Sequence, residues 1–179
     1  SEAEDALRKI KKLVDEVVER IKKVDDDSRK LVEEVERTIE KLDKESEDLV
    51  KKVKDMKRRG DVREKDIKRV IDTSRELVKK LKEDVDRVVE EIKDLNRKLN
   101  EDVKRVMDEI RELLKELEKR GVLREEVKKE VKRLLEELKR RLDESNKRNK
   151  RLIDELRKKL EDSRRRNEEL LRDLKETAT

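Results

Sequence analysis

The stretch LVDEVVERIKKVDDDSRKLVEEVERTIEKLDKESEDLVKKV, residues 13–53, repeats itself every eighteen positions. Leu13-Val14 returns as Leu31-Val32 and as Leu49-Val50, and Val17 returns as Val35 and Val53. Eighteen residues make five turns of an α-helix at 3.6 residues per turn, so these side chains share one face of one long helix. A strict heptad would impose a left-handed supercoil, whereas a period of 3.6 imposes almost none.

The same period runs through the rest of the chain. Ile67, Val85 and Val103 match, as do Val70, Val88 and Val106, and Leu81, Leu99 and Leu117. Further on, Leu134, Leu152 and Leu170 match, as do Leu138, Leu156 and Leu174. Only two glycines occur, Gly60 and Gly121, and each follows a basic turn, KRRG and EKRG. That is the pattern of a left-handed glycine closing a helix, with cations near the negative end of the helix dipole. Ser1 and Glu4 suit a capping box at the first helix, and Asp61 and Glu64 suit one after Gly60; VLREE after Gly121 offers no cap. Val62 and Leu123 follow the two glycines and are placed to plug the bundle ends. The expected fold is all-α: an elongated, up-down-up antiparallel three-helix bundle with little or no supercoil. It forms one domain over 1–179, with helices at about 2–59, 62–119 and 123–176.

Composition narrows the chemistry. Charged residues make up 60% of the 179 residues, against roughly 25% in ordinary soluble domains. There is no His, Cys, Phe, Trp, Tyr or Pro. Such charge would suggest disorder, but the Leu, Val and Ile fall at helical spacing. No run approaches a membrane span, and the polar, acidic start SEAEDALRK does not read as a signal peptide. The net charge of +5 comes from residues 122–179, where 20 basic residues meet 15 acidic ones.

One feature breaks the apolar stripes. In the third helix Ser145 and Asn149 stand on the stripe, and eighteen residues later Ser163 and Asn167 repeat them; one repeat earlier the same places hold Val127 and Val131. The first helix runs Ile10, Ser28, Ser46; in the second, Ser74 precedes Ile92 and Ile110, and Asn96 sits between Val78 and Leu114. With turns centred near the glycines, partners in the first two helices have numbers adding to about 120, and in the last two to about 241. Ser46, Ser74, Ser163 and Asn167 then form one polar layer. Ser28, Asn96, Ser145 and Asn149 form another, roughly 27 Å away, and a third level stays apolar. Thr38, Thr73, Asn100 and Asn146 lie on stripe edges, where they can extend the layers. A lone buried amide costs roughly 1–3 kcal/mol. Grouped polar residues can satisfy one another and penalise sliding of one helix along another.

Uniform E/K/R/L/V usage, missing aromatics, near-equal helices, Arg-Gly turns and Ser/Asn layers resemble computationally designed helical bundles with buried hydrogen-bond networks. The resemblance implies a stable scaffold or assembly component and carries no catalytic residue. Spectrin-like rods lean on core aromatics, which this chain lacks.

Other functions find little support. Without His or Cys, and with no base expected beside a stripe Ser, triad chemistry fails. No catalytic, metal or cofactor site is expected, since carboxylates mixed with Lys and Arg on helix faces read as solvated ion pairs. KRRLDESNKRNKR (139–151) is basic but interrupted by acids and has no stacking aromatics, so no nucleic-acid partner is expected. The RGD at 59–61 is accounted for by its place at the helix break. No partner is required; a monomer is favoured, with helix exchange between like chains as the alternative.

Overall fold

The computed structural model describes residues 1–177. Three helices account for nearly all of them: α1 over Glu2–Arg58, α2 over Glu64–Lys119 and α3 over Glu125–Thr177. By its contacts the chain forms two compact units, one from Ser1–Arg29 with Glu91–Arg151, the other from Lys30–Glu90 with the chain from Leu152 onward. Each helix contributes to both.

In the first unit Glu2 meets Arg120 at 3.5 Å and Arg20 meets Asp102 at 3.7 Å, so α1 and α2 run antiparallel. Asn96 meets Asn149, and Asn100 meets Asn146, so α2 and α3 are antiparallel too. Asp25 bonds Ser145 and Arg148, which aligns α1 with α3 in parallel. In the second unit Glu36 with Lys159 and Asp43 with Ser163 repeat that parallel pairing. This is the up-down-up order of a three-helix bundle.

The stripes form the core. Ile10, Val17, Val103, Ile110, Val131 and Leu138 lie in one cluster of the first unit. Val50, Val53, Val70, Ile71, Leu171 and Leu174 form a cluster in the second. Fully burying one such side chain contributes roughly 1.5–3 kcal/mol before the entropy of ordering it is counted. Among the described residues no large apolar side chain is exposed. Most ion pairs join residues three or four apart on one helix, such as Arg58 with Asp55, and contribute little each.

The turns differ in detail from the expected ones. Gly60 and Gly121 have φ of 74° and 70°, in the left-handed region. A Cβ at either would meet nothing within 4 Å, so it is the backbone angle that requires glycine there. Gly60 N–H donates to Lys57 C=O and Asp61 N–H to Met56 C=O, both 3.0 Å; Gly121 and Val122 repeat the pattern onto Glu118 and Leu117. These are Schellman closures. They carry the chain beyond the glycine before the next helix can start, so α2 begins at Glu64 rather than 62, and α3 at Glu125 rather than 123. The expected cap of Asp61 and Glu64 does not form: the Asp61 N–H serves the closure, and Asp66 Oδ2 instead accepts from the Arg63 N–H at 3.1 Å. Val62 and Leu123 pack half-buried against the cores of the second and first units. At the start of α1 the Glu4 N–H donates to Ser1 Oγ at 3.3 Å, as a capping box requires.

Candidate functional site

The polar residues of the core divide between the two units, and the set in each is a station. In the first, Ser28, Ser145 and Asn149 are buried and Asn96 is half-buried. The Asn149 Nδ2 donates to Asn96 Oδ1 at 3.0 Å. Asn100 and Asn146 pair reciprocally, at 3.0 and 3.1 Å, and Asn100 Nδ2 also reaches the Asn96 carbonyl at 2.6 Å. The Ser145 hydroxyl donates to Asp25 Oδ1 at 2.7 Å, and Arg148 donates from Nη2 and Nε to Asp25 Oδ2 at 2.7 and 3.2 Å.

In the second station Ser46, Ser74, Ser163 and Asn167 are all buried. Ser163 donates to Asp43 Oδ1, and Arg166 Nη2 contacts Asp43 Oδ2 at 2.6 Å. Asp43–Ser163–Arg166 is therefore Asp25–Ser145–Arg148 moved by eighteen residues on both α1 and α3. A buried hydroxyl donates a hydrogen bond to a carboxylate at the core's edge, and an arginine neutralises that carboxylate from the solvent side. Hydrogen bonds to a charged partner are the stronger kind, so Ser145 and Ser163 are well satisfied.

Among the described residues four buried atoms have no partner: Ser28 Oγ, Ser74 Oγ, Asn149 Oδ1 and Asn167 Oδ1. Register bears on that of Ser74. Partner numbers in α1 and α2 add to 122, from Glu2 with Arg120 and Arg20 with Asp102. Those in α2 and α3 add to 245 or 246, from Asn96 with Asn149 and Asn100 with Asn146. The expected values of 120 and 241 placed the reversals at the glycines, whereas each reversal is centred past its glycine. Val78 therefore lies level with Asn167, and Ser74 sits about one turn away. The expected facing of Ser74 and Asn167 is corrected accordingly.

Asn100 and Asn146 belong to the first station. The Thr38 hydroxyl instead donates to the Glu34 carbonyl of its own helix at 3.1 Å, and Thr73 is exposed. The expectation that no base stands beside a stripe serine is also corrected, because a carboxylate meets both Ser145 and Ser163. The chain has no histidine, so the serine–histidine–aspartate relay is not formed. Asp25, Asp43, Arg148 and Arg166 went unread in the sequence although the repeat marks them. Leu7, Asp25 and Asp43 lie eighteen apart, so a leucine at the apolar level becomes an aspartate at both polar ones.

Among the described residues, no group of three or more potential ligands could hold a metal ion, and no helix is long and apolar enough to cross a membrane. No protein-family model matches the chain, and no curated protein matches it. Among solved structures it is similar to a computationally designed three-helix bundle, with 21% sequence identity and a TM-score of 0.79. The match covers 98% of this chain and 89% of that one. At such identity the likeness speaks for the fold: this chain is an all-α three-helix bundle.

Proposed function

We propose that this chain is a designed structural scaffold with no catalytic role, in which the two polar stations set the register of the helices. The carrying observation is the duplicated Asp–Ser–Arg arrangement, which stands against a third, apolar level of the same repeat. There Leu7, Ile10, Val127 and Val131 replace Asp25, Ser28, Ser145 and Asn149. The core can plainly be filled with hydrocarbon at these places, so the polar groups are not there for lack of an alternative. Sliding α3 along α1 by a turn or two would strand buried hydroxyls and carboxylates, a cost that an all-apolar seam does not impose.

The test replaces the second station by the residues of the apolar levels: Asp43→Leu, Ser46→Ile, Ser74→Ile, Ser163→Val and Asn167→Val. Two orphaned atoms disappear, each costing about 1–3 kcal/mol, so the denaturant midpoint should rise. Discrimination should fall, seen as a larger mass by light scattering or as broadened core signals. A five-fold variant much less stable than Asn167→Val alone would show that these residues do not act together.

A second reading, an assembly component formed by helix exchange, draws on the same repeat. The stations of α1 and α3 are equivalent under a shift of eighteen residues, so a helix from another copy could dock one repeat out of step. A parent chain that is monomeric at all concentrations in light scattering would dismiss it.

A further inference from the structure

The stations are copies on α1 and α3 but not on α2, and in the second unit the difference leaves a hollow of about 280 Å³ between α2 and α3. In the first station Asn100 and Asn146 close this gap with their reciprocal amide pair. Eighteen residues away on each helix, the same two places hold Lys82 and Arg164, and both line the hollow. Two cations thus face each other where the sister station has a neutral, bonded pair. Arg75 and Lys79 add two more, against one acid, Glu168, among the described residues of the wall.

Like charges brought together across a concavity repel, and their field is focused there rather than spread over an open surface. Little in the protein relieves it. Among the described residues no carboxylate pairs with Arg75, Lys79 or Lys82, and the Arg164 contact to Glu161 is long, at 3.9 Å. Independently, Asn167 lines the hollow, is only 5% exposed, and has an Oδ1 without a partner. Its sister Asn149 donates to Asn96, but the corresponding place here is Val78, which offers nothing. Among the described residues the Asn167 Nδ2 has no acceptor and, unlike the Oδ1, is not fully enclosed, so the NH₂ can donate to a group in the hollow while the cations donate from its walls.

The complement of that arrangement is a compact anion with several acceptor oxygens spread in three dimensions. Guanidinium groups and ammonium groups both bind such oxyanions, the first as forks and the second as point charges. A planar carboxylate would engage one arginine and leave the remaining cations opposed. We propose that the hollow bounded by Arg75, Lys79, Lys82 and Arg164, with Asn167 at its floor, binds a tetrahedral oxyanion of the phosphate class, either free or as the head of a phosphomonoester.

The experiment uses the full chain labelled with ¹⁵N, titrated with inorganic phosphate while sodium chloride holds the ionic strength constant. The Asn167 side-chain NH₂ signals should shift saturably, and those of Asn149 should not. A parallel titration with phenyl phosphate separates the sources: a matching response identifies a site for any phosphate head, whereas a response to inorganic phosphate alone identifies a site closed to esters. The double variant Lys82→Asn, Arg164→Asn installs the amide pair of the first station, which this fold already accommodates, and should weaken binding by about tenfold or more. Shifts that chloride reproduces, or that persist unchanged in the double variant, would overturn the proposal.

Discussion

The two polar stations share α1 and α3 almost residue for residue and part company on α2. Where the first has Asn96 and Asn100, the second has Val78 and Lys82. The consequence is local. The Asn149 NH₂ donates to Asn96 at 3.0 Å, while among the described residues the Asn167 NH₂ has no acceptor; the Oδ1 of both is buried without a partner. The comparison teaches that a polar residue in a core is not stabilising or destabilising by type. Its effect depends on whether the facing helix supplies a partner at the right height, and the cost of an orphan is of the same order as the gain from a satisfied pair.

The comparison can be broken from either side. Asn96→Val should make the first station resemble the second, leaving both ends of the buried Asn149 amide unsatisfied. A loss of about 1–3 kcal/mol is expected in a denaturant melt, with the amide signals of the second station unmoved. A loss confined to a few tenths would mean that Asn149 finds another partner, and that α2 does not set the difference between the stations.

The converse change, Val78→Asn, offers Asn167 the partner that its sister has. Val78 borders the hollow, so the slightly different shape can be accommodated without crowding the core. The gain should be smaller, about 0.5–1.5 kcal/mol, because a new hydrogen bond also desolvates the group that makes it. The Asn167 side-chain signals should move toward the pattern of Asn149. If Val78→Asn destabilises, positions 78 and 167 are not level, and the register of 245 does not hold in the second unit.

Most of the fold was legible because it rests on period and punctuation. Apolar residues at eighteen-residue spacing specify long helices, and a basic turn followed by a lone Gly specifies where each stops. Register was less legible. It depends on how many residues the chain spends in reversing, and Val62, Arg63 and Val122 to Arg124 carry no mark that distinguishes linker from helix. An error of a few residues there sufficed to place Ser74 opposite Asn167. The serines and asparagines of the stations stood out because such residues are rare on an apolar stripe. Asp25, Asp43, Arg148 and Arg166 did not, because in a chain that is 60% charged an acid beside a stripe looks like surface. Only the exchange of Leu7 for Asp25 and Asp43 along the repeat separates them from that background.

The smallest expected effect lies at the apolar level, in Glu130, which stands eighteen residues before Arg148. There α1 carries Leu7 instead of an aspartate, and the hydrogen bonds to Glu130 come from its own helix. Arg133 donates to Glu130 from Nη2 at 2.7 Å and from Nε at 3.2 Å. That hydrogen bonding holds the Glu130 carboxyl below its usual range, with the charges of Arg133 and Lys11 acting in the same direction and desolvation opposing them. A carboxyl that titrates lower in the folded chain than in the unfolded one lends stability that is present above the unfolded value and lost as pH falls through the folded one. Solvent screens this pair, so the contribution should be too small to move a melt. Arg133→Ala should therefore raise the Glu130 midpoint, followed by carboxyl ¹³C shifts, into the ordinary carboxylate range while the denaturant midpoint stays in place. A substantial fall in that midpoint would mean that a surface pair within one helix bears on packing as the station residues do, and the distinction between the polar and apolar levels would no longer rest on what crosses the core.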